Sequence, residues 1–369
     1  MKVLMVSTSY PEDAKDWRGR FISDLVVALA RKKEVDLELW APSGDLPDNV
    51  TAATTPSDVC WLRRLSQLGG IANVLKNHPM SLPLIVIQLL ARLARSYRKL
   101  PSDICHVNWL QNALPLWGTS TPALISVLGS DFGLLRMPGM TSLLRAVFSQ
   151  RRVILAPNAE WMRPELERLF GDLTEIYPIA FGVDKAWFSV ERQPADGVQN
   201  WLTVSRLTKN KIGDLFDWGE GLFGEDRLLH LFGPMQEKLV VPQWVQYHGT
   251  TNPSQLLQTW FPQASGLITL SRHDEGRPQV MLEAMAAGLP VIASDMPAHR
   301  DIIQHMDNGW LAVSPDSLKQ GLDWLEEQKN NRKAGQCAHD WVKASIGTWE
   351  DCAERYAAAY RKLLKLSIE

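Results

Sequence analysis

The chain has 369 residues, of which 45% are hydrophobic and 22% charged, and its formal net charge is −2. This composition is typical of a folded globular protein and excludes a disordered or fibrous chain. The near-zero net charge argues against a general nucleic-acid-binding protein. The four cysteines are scattered without a C-x-x-C pair, so we expect no zinc site, no disulfide framework and a cytoplasmic location. No apolar run in the sequence is long enough to span a membrane.

The first half of the chain alternates short apolar runs with longer amphipathic stretches. The apolar runs predict buried strands, and the amphipathic stretches predict helices between or after them. The predicted strands cover residues 2–7, 35–41, 103–107, 123–128 and 152–156, and the predicted helices include residues 21–31 and 160–169. Strands and helices at this spacing indicate a doubly wound parallel sheet.

The same pattern restarts in the second half of the chain. The predicted strands there cover residues 201–205, 228–232, 244–248, 266–270 and 290–294. Because residues 185–199 have linker composition, we expect an N-terminal domain over 1–190, a C-terminal domain over 191–348 and a final amphipathic helix within 349–369. The predicted fold class is therefore α/β, with two Rossmann-like domains that face a cleft and bind ligands at the carboxyl ends of their strands.

One forty-residue segment is strongly basic. Residues 61–100 contain seven basic side chains and no Asp or Glu, which leaves 32 basic and 41 acidic residues in the rest of the chain. The seven are Arg63, Arg64, Lys76, Arg92, Arg95, Arg98 and Lys99. The spacing of apolar residues over 61–75 predicts one helix. A second predicted helix carries a polar stripe formed by Gln88, Arg92, Arg95 and Lys99. Two interpretations stay open: helices with a basic outer edge, or a surface that docks on an anionic membrane.

Several common site patterns do not fit their context. Residues 219–224 match G-x-G-x-x-G, but a helix precedes them and a strand follows, which is the reverse of a dinucleotide-binding turn. Residues 131–133 read Asp-Phe-Gly, as in kinases, but no H-R-D loop precedes them. The sequence also lacks a D-x-D pair, so we expect no metal to hold a nucleotide diphosphate.

The most informative segment is residues 271–290, which follows a predicted strand. Pro278 suits the first turn of a helix, and Gly288 suits the position just after its end. Glu275 precedes this helix, and Glu283 lies about five residues into it, or ~7.5 Å along its axis. Two carboxylates therefore flank a helix N-terminus, whose N–H groups and positive partial charge suit a phosphate.

Arg206 and Lys211 follow the first strand of the second half, at its carboxyl end. They are five residues apart across a turn and can converge on one anion. A departing nucleotide diphosphate without a metal needs fixed cations to neutralise its developing charge. Arg provides a planar fork and Lys a point charge for this purpose. The alternative interpretation is an ordinary charged turn.

These segments resemble the retaining glycosyltransferases of family 4, which have the GT-B fold. The resemblance covers most of the chain and is strongest over residues 202–313. It rests on the E-x7-E motif of Glu275 and Glu283, and on Arg206 and Lys211 in S-R-L-x-x-x-K-x-G. Further matches lie at residues 10–11, 19–22, 129–131, 182–184, 307–311 and 349–350.

The resemblance implies a donor site in the second half. Glu283 would hold the ribose hydroxyls of a nucleotide sugar, and Glu275 would contact the transferred sugar near its reacting carbon. Arg206 and Lys211 would bind the diphosphate. The loop formed by Gly276, Arg277 and Pro278 would complete this site.

The implications for the first half are less direct. The backbone at Gly19 would approach donor and acceptor, although this glycine also suits a simple turn. Asp131 is a candidate on the acceptor side or an ordinary helix cap. Many family members have a histidine that contacts the donor sugar where this chain has Leu128. His299 receives no role, and the last helix would cross back to the first domain.

The function predicted is a retaining, metal-independent glycosyltransferase in bacterial surface polysaccharide or glycolipid synthesis. It would move a sugar from a nucleotide-diphosphate sugar to a hydroxyl of a glycan, which we expect to be lipid-linked. No cofactor besides this donor substrate is expected. The partners would be the donor, the acceptor and an anionic membrane surface at residues 61–100. Two alternatives stay open: a nucleotide-sugar epimerase of the same fold, and a non-catalytic protein that binds nucleotide sugars or glycans.

Overall fold

The computed structural model describes residues 1–13, 16–67, 69, 80, 82–193 and 197–365. These residues form two compact units. The first unit is drawn from residues 1–181 and 349–369, and the second from residues 182–348. Each unit is built around its own parallel sheet.

The sheet of the first unit has seven strands, in the spatial order β3-β2-β1-β4-β5-β6-β7. They are β1 (Lys2–Val6), β2 (Asp36–Trp40), β3 (Val50–Ala52), β4 (Ile104–Asn108), β5 (Ala123–Val127), β6 (Val153–Pro157) and β7 (Glu175–Ile176). All neighbouring pairs are parallel. Val3 and Met5 pack into one core and Leu4 and Val6 into another, so the sheet is buried on both faces. This burial explains why its strands are continuous apolar runs in the sequence.

Helices cover both faces of this sheet. They are α1 (Arg20–Ala30), α2 (Pro56–Gln67), α3 (Leu82–Lys99), α4 (Met140–Phe148) and α5 (Arg163–Phe170). Short 3₁₀ turns occupy Leu110–Leu116, Phe132–Arg136 and Glu160–Met162. The apolar side of α1 packs on one face of the sheet, and those of α2 to α5 pack on the other. None of the helices among the described residues combines the length and apolar character needed to cross a bilayer.

The sheet of the second unit has six parallel strands in the order β10-β9-β8-β11-β12-β13. They are β8 (Gln199–Val204), β9 (Arg227–Phe232), β10 (Val245–Gly249), β11 (Gly266–Thr269), β12 (Val291–Ser294) and β13 (Gly309–Ala312). The strand order reverses between β8 and β11, as it does between β1 and β4 in the first unit. In open α/β sheets, ligands bind outside the carboxyl ends of the strands at such a reversal.

The helices of the second unit include several very short ones. They are α6 (Lys209–Ile212), α7 (Leu215–Trp218), α8 (Pro253–Gln255), α9 (Phe261–Gln263), α10 (Gln279–Ala286), α11 (Pro297–Arg300), α12 (Pro315–Glu326) and α13 (Gln328–Ser345). A 3₁₀ turn covers Lys185–Ser189, and a π-helical turn covers Leu256–Trp260. The two parallel sheets and their helices confirm the predicted α/β fold class of two Rossmann-like units.

The second unit begins at Gly182, earlier than the linker composition suggests. Arg192 shows why the segment after Gly182 belongs to it. Its guanidinium donates hydrogen bonds to the carbonyl oxygens of Gly288 at 2.9 Å and Ala264 at 2.8 Å, and to the side chain of Asn331 at 2.9 Å. This half-buried cation, with its three acceptors, holds the segment on the second unit.

The polar stripe predicted on α3 is divided in the structure. Arg92 binds Asp58 of α2 at 2.7 Å, and Gln88 accepts a hydrogen bond from the Trp61 indole at 2.7 Å. Arg95 stays exposed. The buried Asp58 carboxylate requires a cation, so half of the stripe faces α2 rather than solvent. The predicted helix over 61–75 is observed to Gln67, and residues 68 and 70–79 lie outside the described residues.

The last helix, α14 (Trp349–Leu364), belongs to the first unit and packs against α1. Its Tyr360 hydroxyl lies 2.6 Å from Nδ1 of His106 on β4, and Tyr356 reaches Ser126 on β5 at 2.9 Å. Ser126 also lies 2.9 Å from Nε2 of His106. All four side chains are fully buried. The network joins the helix to the centre of the sheet.

Burial lowers the pKa of His106 to about 3, which makes the first unit sensitive to acid. The unfolded chain binds this proton below its ordinary pKa of ~6.5, so stability is lost as the pH falls from there towards 3. Between pH 7 and pH 5, we expect wild type to lose about 2 kcal/mol more unfolding free energy than His106→Gln. Urea denaturation at both pH values measures this difference. The matched variant His339→Gln should behave as wild type, and equal losses in wild type and His106→Gln would contradict the assignment.

Candidate active site

Two loops meet at the reversal point of the second sheet, one after β8 and one after β11. Gly213 in the first loop has a φ of 55°, and a Cβ there would lie 1.8 Å from the carbonyl oxygen of Leu270. The backbone N–H of Arg272 donates to the carbonyl oxygen of Asn210 at 2.7 Å. Only glycine permits this close approach. The two loops are therefore held in direct contact.

This contact brings Lys211 and Glu275 together. The Lys211 ammonium pairs with Oε2 of Glu275, and the two side chains are only 15% and 16% exposed. Burial acts to raise the pKa of Glu275, but the neighbouring His299 and the charge of Lys211 outweigh it and lower the pKa to about 2. Glu275 is therefore a carboxylate at neutral pH.

Arg206 completes a cluster of charges around Glu275. It follows β8 directly and is partly buried. Burial lowers the pKa of its guanidinium, and the nearby charge of Glu275 acts in the opposite direction. The structure thus brings two cations from one loop to a carboxylate that is distant in the sequence. A surplus of positive charge suits a multiply charged anion.

The other residues of the predicted donor site have different surroundings in the structure. Arg277 pairs with Asp301, the residue after α11, and both side chains are almost fully buried. Arg277 therefore holds its loop against α11, where the sequence predicted a donor contact. Gly276 and Pro278 are buried, and Pro278 caps α10 rather than lying inside its first turn. Glu283 lies in the second turn of α10 and is partly exposed.

His299 is a member of this cluster that the sequence did not single out. Its ring is 1% exposed, and its Nε2 lies 3.9 Å from Oε1 of Glu275. Its Nδ1 lies 2.8 Å from the carbonyl oxygen of Ser294. Its place in the first helix after a buried strand is a signal that could have drawn attention to it.

The first unit places its candidate residues at its own reversal point. Gly19 has a φ of 68°, and a Cβ there would lie 2.7 Å from Ser9, so the local turn alone requires glycine. The buried Asp131 carboxylate accepts hydrogen bonds from the N–H groups of Leu110 at 2.9 Å and Leu128 at 3.0 Å. Burial raises the pKa of Asp131 to about 6. Asp131 thus braces the segments that follow β4 and β5.

A residue missed by the sequence lies beside them. Trp109 follows β4 with a φ of 69°, which is rare for a bulky residue. Its ring contacts that of Phe21 edge to face, with the centroids 6.3 Å apart. Strained residues of this kind cluster at functional sites. No sequence pattern marks this conformation.

Comparison with known proteins finds a family resemblance within the second unit. Residues 235–340 match the family model described as glycosyl transferases group 1. The match includes Glu275 and Glu283 and confirms the resemblance to glycosyltransferases. Spore coat protein SA of Bacillus subtilis is 25% identical over 154 residues, which are 39% of this chain and 39% of that protein. The chain therefore spans well under half the length of the curated relatives it matches.

Solved structures are similar over the whole chain. Sucrose-phosphate synthase from Thermosynechococcus elongatus has a TM-score of 0.74 at 16% identity, with 100% of each chain covered. Anabaena Alr3699/HepE in complex with UDP and glucose has a TM-score of 0.65 at 13% identity, over 98% of this chain and 100% of that chain. These likenesses confirm the GT-B fold class, and at these identities they show the fold alone.

The Lys211–Glu275 pair predicts a stability effect. We expect Lys211→Met to lower the unfolding free energy by about 1–3 kcal/mol at pH 7, because it leaves a poorly exposed carboxylate without its cation. Adding Glu275→Gln should recover part of this loss. The stabilisation from Glu275 should be complete above its ordinary pKa of ~4.3 and should be lost as the pH falls towards 2. A double-mutant cycle by urea denaturation measures the coupling, and additivity within ~0.5 kcal/mol would contradict it.

Proposed function

We propose that this protein is a retaining glycosyltransferase that moves a sugar from a nucleotide-diphosphate sugar to a hydroxyl of a glycan. The observation that carries the proposal is the convergence of Arg206, Lys211 and Glu275 where the strand order reverses between β8 and β11. The family match of residues 235–340 supports the same reaction class. The complex of the Anabaena protein with UDP and glucose supports a nucleotide-sugar donor.

The ion pair suggests how the site would receive its donor. In the present structure, the Lys211 ammonium is paired with the Glu275 carboxylate. A bound diphosphate would compete for this ammonium and would also attract Arg206. Glu275 would then be free to accept hydrogen bonds from the transferred sugar. Exchange of one anion for another keeps Lys211 paired throughout.

The chemical step would need no base from the protein. The acceptor oxygen would bond to the anomeric carbon on the face from which the diphosphate departs. The bond from that carbon to the diphosphate oxygen would break, and this oxygen would take the acceptor proton. Arg206 and Lys211 would stabilise the negative charge that develops on the diphosphate. We therefore propose that no metal is required, because these cations supply the neutralisation.

The acceptor proposed is a lipid-linked glycan in bacterial surface polysaccharide or glycolipid synthesis, and the protein would act at the cytoplasmic membrane surface. The exposed side of α3 supports this proposal. Leu84 and Ile87 are 60% and 64% exposed, and Arg95 continues the same side of the helix. Arg63 and Arg64 are exposed on the neighbouring α2. Apolar side chains beside cations suit an anionic lipid surface.

Arg206→Ala and Glu275→Ala should each lower transfer by about 10²–10³-fold, because each removes a group that acts on developing charge or on the sugar. Product formation with UDP-, GDP-, ADP- and dTDP-sugars and candidate glycans is measured by mass spectrometry, with circular dichroism as the check on folding. Lys209→Ala, an exposed cation two residues from Lys211, is the matched control and should keep wild-type activity. Full activity in either test variant would contradict the proposal, and isomerised donor without acceptor would identify an epimerase.

Vesicle flotation tests the membrane surface. We expect wild type to float with vesicles that contain phosphatidylglycerol and not with phosphatidylcholine alone. Each cation contributes about 1 kcal/mol near an anionic surface, so combining Arg63→Glu, Arg64→Glu and Arg95→Glu should weaken binding at least ~100-fold. Lys33→Glu, an exposed charge on another part of the same unit, is the control. Equal binding to both vesicles, or binding to neither, would contradict the proposal.

A further inference from the structure

His299 has no part in the transfer as described, yet its ring is held in one orientation. Nδ1 lies 2.8 Å from the Ser294 carbonyl oxygen, which can only accept a hydrogen bond. Nδ1 therefore carries a hydrogen. The Ser294 hydroxyl donates to the carbonyl oxygen of Ser271 at 2.6 Å and so links the ends of β12 and β11. These bonds fix the ring with Nε2 directed at Glu275.

His299 and Glu275 are placed so that one oxygen atom beside them can bond to both. Nε2 and Oε1 are 3.9 Å apart, which is too long for a hydrogen bond between them. The other carboxylate oxygen is occupied by Lys211. A hydroxyl oxygen placed ~2.8 Å from both atoms lies about 2 Å to one side of the line that joins them. It can donate its hydrogen to the carboxylate and accept one from Nε2 when that nitrogen carries a hydrogen.

We propose that His299 is a sugar-binding residue whose Nε2, together with Oε1 of Glu275, holds one hydroxyl of the transferred sugar. The proposal rests on the proposed function, because it requires a nucleotide sugar in this site. A nucleoside diphosphate without a sugar lacks this hydroxyl. The contribution of Nε2 should therefore appear only when the sugar is present.

The His299→Asn variant isolates the distal nitrogen. The Asn amide can replace Nδ1 as the donor to the Ser294 carbonyl oxygen, and nothing replaces Nε2. His299→Gln is the complementary variant, because its longer side chain returns an amide N–H near the Nε2 position. His339→Asn is the matched control, since the His339 ring lies on α13 beside Asp340.

Isothermal titration calorimetry compares UDP-glucose, ADP-glucose, dTDP-glucose and GDP-mannose with the parent diphosphates. For the nucleotide that wild type binds, His299→Asn should change the Kd of the diphosphate by less than twofold. It should raise the Kd of the sugar nucleotide about tenfold, or about 1.4 kcal/mol. His299→Gln should recover part of this loss, and His339→Asn should show none.

Two results would overturn the inference while leaving the proposed function intact. His299→Asn could bind the sugar nucleotide as wild type does, which would show that Nε2 makes no contact. It could instead lose affinity for the sugar nucleotide and the diphosphate by the same factor, which would show a structural role only. If wild type binds no member of the panel, the proposed function itself fails.

Discussion

The candidate site depends on the close approach of Gly213 to the carbonyl oxygen of Leu270. No side chain fits between these two backbones, and the contact fixes the loop after β8 against the loop after β11. Lys211 precedes Gly213 by two residues, and Glu275 follows Leu270 by five. Their ion pair is therefore a product of backbone packing, and the position of His299 against the same carboxylate depends on the same contact.

Burial acts on three titratable groups with different outcomes, because their neighbours differ. His106 meets only neutral hydroxyl groups, and its pKa falls to about 3. Asp131 receives backbone N–H groups, which lessen the effect of burial, and its pKa rises to about 6. Glu275 has a cation beside it, and its pKa falls to about 2. The buried group with the strongest counter-charge is the one at the candidate donor site.

Much of the fold could be predicted from the sequence, because strands buried on both faces are continuous apolar runs. The edge strands β3 and β7 bury too little to leave that signal, and the edge strand β13 is buried but only four residues long. In the site, E-x7-E indicated Glu275, but spacing could not show that Asp301 takes Arg277 or that Asp58 takes Arg92. These pairs join residues that are distant in the sequence, so only the fold reveals them. His299 was missed for the same reason.

The position of α14 makes the first unit discontinuous in sequence. The polar side chains His106 and Ser126 of its sheet meet their partners only when Tyr360 and Tyr356 of this helix reach them. During synthesis, residues 182–348 emerge from the ribosome before this helix does. The second unit can thus reach its final fold while one face of the first sheet still lacks part of its cover. The unit that is translated first is therefore the one that is completed last. The apolar surface that α14 later covers is where a chaperone would bind in the meantime.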